Sequence, residues 1–142
     1  MKKRLIFLLT VFSLYAAPVS NQDVLFIANN ILEDRFPDNI QHNIIEIESV
    51  MELGNDLLYI VHINPMGFIL VSADDRVYPL LGYSIESNFT GMDFPIQFDA
   101  MFGSYKEQIA IAVVNNIERD ESIASAWDLY KTIGDINRDE RL

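Results

Sequence analysis

The side chains that could support catalysis are few and poorly placed for it. The chain has no cysteine, which removes a thiolate nucleophile, a disulfide and a cysteine-bound metal at one stroke. A serine triad can be assembled on paper from Ser72, His62 and Asp74 or Asp75. Ser72 does not stand in the G-x-S-x-G pattern of a nucleophile elbow, and a serine ahead of two aspartates reads as turn chemistry. His42 and His62 lie on different segments, so they predict no metal site. Asp74 and Asp75 adjoin, but a calcium loop needs more oxygens at fixed spacing. Asp75 is expected instead to pair with Arg76 or to cap a neighbouring amide. The six glycines are scattered and form no phosphate cradle. Asn88-Phe-Thr90 matches the N-glycosylation pattern. These residues predict no catalytic site, no metal and no cofactor.

What positions the remaining residues begins with an address label. Lys2, Lys3 and Arg4 precede an apolar run over 5–14, and small residues follow at Ala16, Ala17 and Ser20. That order is the pattern of a secretory signal peptide, and the run is shorter than the roughly 20 residues a membrane span needs. We therefore expect residues 1–20 to act as a signal, with Ala16 a candidate last residue, and 21–142 to form one domain that is secreted or periplasmic. The remaining chain of about 125 residues supports one core. The formal charge is −11. Such an acidic chain repels nucleic-acid phosphates and anionic membrane surfaces, and suits a basic partner. Half the residues are apolar and 11% aromatic, enough for a core without disulfides.

The periodicities predict an α+β fold: a helix, a four-stranded antiparallel meander, a long helix and a short last helix, with the helices against one face of the sheet. Val24, Ile27, Ala28, Ile31 and Leu32 recur at helical spacing over 23–36, with Asn21 or Asp23 as cap and Pro37 as stop. Ile45 and Ile47 alternate with Glu46 and Glu48. Gly54-Asn-Asp56 marks a turn, and strands are expected over 57–63, 68–73 and 77–84. The third strand is continuously apolar. Asn64-Pro-Met-Gly67 has tight-turn chemistry, and Pro79 suggests an edge or a bulge. After a loop over 85–97, Phe98, Met101, Phe102, Tyr105, Ile109, Ala112 and Val113 trace one helical face. A last helix over 122–133 is expected to be capped by Ser122 and ended by Gly134.

One stretch is more specific than periodicity. Tyr59-Ile-Val-His-Ile-Asn-Pro-Met-Gly-Phe-Ile-Leu-Val-Ser-Ala-Asp-Asp-Arg76, then Pro79, Leu81-Gly-Tyr-Ser84, Phe89 and Tyr105-Lys-Glu-Gln-Ile109 resemble the prodomain of streptopain (family C10) cysteine proteases and its stand-alone Spi-type inhibitor relatives. The resemblance implies a protein that is not an enzyme. It implies non-covalent inhibition of a streptopain-like protease by a domain that is monomeric when free. Family prodomains fill the active-site cleft, and a polar residue just before the long helix displaces the catalytic histidine. Gln97 stands where the family has asparagine, the same amide on one more methylene. The resemblance thus assigns Asp93, Phe94, Pro95, Ile96, Gln97 and Phe98 to the protease-contacting loop. Gln97 can equally be a helix-start residue facing water. A folding chaperone for the same protease and an extracellular binding module of the same fold are the alternative functions; loss of protease activity on titration separates inhibitor from module.

Overall fold

The computed structural model describes residues 18–36, 40–90 and 96–139, with 133–139 as backbone only. Its elements are α1 (Asn21–Arg35), β1 (Asn43–Glu52), β2 (Asn55–Asn64), β3 (Phe68–Ser72), β4 (Leu80–Ser84), α2 (Ile96–Val114) and α3 (Glu121–Asp139). The strands form a single antiparallel sheet in the order β1-β2-β3-β4. The expected α+β meander is therefore observed.

The helices do not share one face. Tyr59, Val61, Ile63, Ile69 and Val71 pack with α1 and with Trp127 of α3. The alternate residues Leu58, Ile60, Phe68 and Leu70 pack with Ile109 of α2. The sheet is thus covered on both sides, correcting the one-face arrangement. The physical cause is visible in β3, where all five residues are buried. Successive strand side chains point to opposite faces, so an unbroken apolar run requires a lid on each face.

Local chemistry also corrects both helix caps. The Ser20 hydroxyl accepts the Asp23 amide, and Asp23 reaches back to the Ser20 amide in a capping box. Neither Asn21 nor Asp23 is the cap itself. Ahead of it, Pro18 forms a bridge with Asp74, Val19 donates its amide to the Ala73 carbonyl at 3.0 Å, and the Val19 side chain is buried. The domain therefore includes residues 18–20. At α3 the cap is Asp120, whose carboxylate accepts the amides of Ser122 and Ile123 at 2.7 and 3.0 Å. α3 then runs through Gly134 to Asp139. The last helix is 19 residues, as long as α2. Glycine lowers helix propensity by only about 1 kcal/mol and does not by itself stop a helix. α3 lies on α1, where Asn30 donates its side-chain amide to the Tyr130 carbonyl at 2.8 Å, and Trp127 donates to Val77 O at 2.8 Å. The expected stop at Pro37 lies outside the described residues; α1 ends at Arg35, with the Phe36 amide donating to Leu32 O.

Asp120 makes the α3 cap pH-dependent. The Ser122 hydroxyl, then the Ile123 and Ser122 amides, hold its carboxyl below the usual aspartate range. A depressed folded-state value means that the cap contributes above the unfolded value, and that this is lost as pH falls through the folded one. Below about pH 4 helical circular dichroism should begin to fall. Asp120→Asn, which caps without titrating, should fall less steeply over the same range. Equal curves would reject the titrating cap.

The turns fit their residues. Leu53 and Gly54 take positive φ, 51° and 82°, and close the β1–β2 hairpin, one residue earlier than expected. Gly67 takes φ 131°, and its carbonyl accepts the Ile63 amide at 3.0 Å. The fourth strand starts at Leu80 and not at 77, so Pro79 lies just ahead of it; the strand is an edge, as expected, and carries a bulge at Leu81 between the partners of Leu70 and Val71.

Candidate functional site

Among the described residues, four phenylalanines gather at the start of α2. Phe98 and Phe102, one helical turn apart, stack at 6.0 Å. Phe89, from the loop after β4, meets Phe98 at 5.8 Å and Phe102 at 5.5 Å. Phe68, the first residue of β3, meets Phe89 and Phe98 edge-on at 5.3 and 6.2 Å. Such pairs add about 0.5–1.5 kcal/mol each beyond burial. The loop is tied down a second time by Asn88, whose side-chain oxygen accepts the Gly67 amide at 3.0 Å. The asparagine of the glycosylation pattern is thus engaged by the turn.

On this support the predicted contact residues divide. Asp93, Phe94 and Pro95 lie outside the described residues. Ile96 and Gln97 occupy the first turn of α2, Ile96 at 79% exposure and Gln97 also exposed. Phe98 is half-buried and turned into the aromatic cluster, where it anchors the helix. The Gln97 amide makes no hydrogen bond to another described residue. It borders a cleft of about 600 Å³ between β4 and α2, floored by Phe68, Leu70, Leu81 and Gly82 and walled by Phe98 and Met101. The spacing of Phe98 and Phe102 put them on one helical face, as found, but nothing in the sequence announces that Phe89 and Phe68 join them there.

The other candidate residues do not converge. The Ser72 hydroxyl is fully buried and bonds the Asp74 backbone, accepting its amide at 3.1 Å and donating to its carbonyl at 3.0 Å. His62 pairs with Glu48 at 3.1 Å, and it sits opposite Phe68, four ladder positions from Ser72. His42 packs edge-on against Phe36 at 5.0 Å. No group of three metal-ligating side chains occurs among the described residues. The arrangement offers hydrogen-bonding groups and apolar surface for binding, and Ser72, His62, Asp74 and Asp75 form no triad.

The expected partner of Arg76 is also corrected. Arg76 pairs with Asp74, not Asp75: Nε donates to Oδ1 at 2.8 Å and Nη2 to Oδ2 at 2.9 Å, with both side chains nearly buried. The Arg76 amide donates to the same Oδ1 at 3.0 Å, so the turn itself brings the two residues face to face. This pairing raises the Arg76 pKa further. Asp75 points the other way and receives Arg119 at 3.0 Å. Burial pushes the Asp75 carboxyl up, against the opposing pull of Arg119.

The sequence matches the family described as Spi protease inhibitor over residues 16–109. No curated protein and no solved structure matches the chain. The matched span takes in α1, the whole sheet, the Phe89 loop and the first turns of α2, well over half the sequence, so the chain belongs to the Spi protease inhibitor family.

Proposed function

We propose that this protein is an exported inhibitor of a streptopain-like cysteine protease, and that it blocks the substrate cleft non-covalently with the start of α2 and the segment leading into it. The observation that carries this reading is Gln97. Its amide is exposed and makes no hydrogen bond to another described residue, on a helix start that four phenylalanines hold in place. Two N–H donors and one carbonyl acceptor on a rigid mount can engage the polar groups of a protease cleft. Little conformational entropy is lost on binding because the mount is already ordered. A side-chain carboxamide is a poor electrophile toward a thiolate, so this contact is non-covalent. Export follows from the basic and apolar leader. Removal after Ala16 or Ala17 suits the domain better than removal after Ser20, because Val19 and Ser20 are built into it.

Titration of the processed protein, recovered from an exporting host, against a mature streptopain-like protease tests the reading. Peptide hydrolysis should fall to near zero once the inhibitor exceeds the enzyme. Full activity at a large excess would sink the proposal. Gln97→Ala should weaken inhibition about 10- to 100-fold, the worth of one or two hydrogen bonds in a desolvated contact. Its circular dichroism should be unchanged, because the side chain is exposed. Unchanged affinity would remove Gln97 from the contact.

A further inference from the structure

We infer that the cleft between β4 and α2 receives an extended apolar segment of the target protease, flanked by lysine or arginine, which lies along the open edge of β4. This rests on the protease-inhibitor reading above and adds a second contact to it. The two edges of the sheet are built differently. β1 carries Glu46, Glu48 and Glu52, all exposed, and charge of this kind keeps a foreign strand from adding to an edge. β4 has β3 as its single strand neighbour among the described residues and carries neither a charged residue nor a proline. Its bulge falls at Leu81. The remaining Gly82, Tyr83 and Ser84 pair regularly with Leu70, Ile69 and Phe68 and leave a straight edge for a partner backbone.

Gly82 opens the floor beneath that edge. It stands opposite Leu70, whose side chain belongs to the core on the α2 side, so the missing side chain of Gly82 lies on the cleft side. Among the described residues, a Cβ there would meet only Leu70 Cδ1, at 3.9 Å. A larger residue at 82 would therefore project into the cleft and leave the core intact. The floor is apolar, and Gln97 stands on its rim, so a segment seated on β4 is continuous with the contact made by Gln97.

Charge selects the occupant. The described residues of this region, 77–90 and 96–105, contain Glu86 and Asp99 and no basic residue. A second copy of this chain would bring the same carboxylates against them, within a molecule of net charge −11. Opposite charge on the partner removes that repulsion and speeds encounter. The segment is accordingly apolar where it crosses Gly82 and basic at its flanks.

The test compares wild type, Gln97→Ala, Gly82→Val and Met101→Arg for inhibition of the same mature protease, with thermal midpoint and oligomeric state measured for each. Gly82→Val should keep or raise the midpoint, since valine suits a strand, and should weaken inhibition at least 10-fold. Met101→Arg changes an exposed helix position on the cleft wall, should also fold, and should weaken inhibition similarly. Raising salt from about 0.05 to 0.5 M should slow association of the wild type several-fold. Inhibition by wild type, weakened by Gln97→Ala but untouched by both cleft variants, would overturn the cleft and leave the inhibitor reading standing. Absence of inhibition by wild type would overturn both. A wild-type dimer that Gly82→Val converts to monomer would overturn the cleft by assigning it to a second copy.

Discussion

Replacing Asp74 with alanine is expected to destabilise the fold by about 3–5 kcal/mol, the usual cost of leaving one partner of a buried ion pair alone. Arg76 would lose both side-chain hydrogen bonds to Asp74 while its own side chain stays 9% exposed. It keeps a hydrogen bond to the exposed Asn116 side-chain oxygen at 3.0 Å, which does not neutralise its charge. The turn would also lose the acceptor of the Arg76 amide. In a domain of this size each kcal/mol is worth roughly 3–5 °C in Tm, so the midpoint should fall by about 10 °C or more. Asp75→Asn provides the contrast. Its carboxylate is partly exposed, one of its oxygens is buried with no hydrogen-bond partner among the described residues, and burial already disfavours its charge. Its loss of charge should cost about 1 kcal/mol or less, in the range of a surface pair. Equal Tm shifts for the two variants would show that the buried pair is not what holds the corner.

Gly67→Ala is the second large effect. The Gly67 φ of 131° is a conformation that side-chain-bearing residues rarely adopt. A Cβ there would stand 2.7 Å from Phe36 Cε1 and 2.7 Å from the Ser84 carbonyl oxygen. Backbone strain and overpacking together cost about 3–5 kcal/mol. The Phe36 ring can yield, whereas the Ser84 oxygen belongs to β4 and cannot move without the strand. Chemical denaturation of Gly67→Ala, Phe36→Ala and the double variant should therefore show a coupling that recovers part of the loss and not all of it. A tolerated Gly67→Ala would mean that the turn has another accessible shape. The consequence reaches the candidate site, since the Gly67 amide holds Asn88 and the next residue is Phe68 of the aromatic cluster.

These two residues bracket the segment that was most legible in the sequence. Gly67 announced a turn, Asp74-Asp-Arg76 announced another, and the apolar run between them announced a strand. Each of these is a local preference, set by the dihedral a residue permits or the hydrogen bonds it can make to its own neighbours. Residues that answer to distant partners were read less well. Ser20 and Asp120 act as caps from just outside the periodic stretches. Gly134 was read as a stop, yet α3 continues through it. Asp75 has Arg119 as its partner, 44 residues away, in place of the adjacent Arg76. The unbroken apolar character of 68–72 held the sign that both faces of the sheet are covered, but periodicity does not say which helix covers which face.

The sequence by itself determined the family, the order of elements, the antiparallel meander and the absence of a cysteine nucleophile. These follow from residue type, spacing and hydrogen bonding within a few residues. Only the tertiary structure decided that α1 and α3 share one face and α2 takes the other. It also decided that Phe68, Phe89, Phe98 and Phe102 meet at one helix start, and that the gap above Gly82 opens beside Gln97. The reason is that burial and close approach join residues far apart in the chain, and such contacts are fixed by packing of the whole core rather than by the preferences of any one segment.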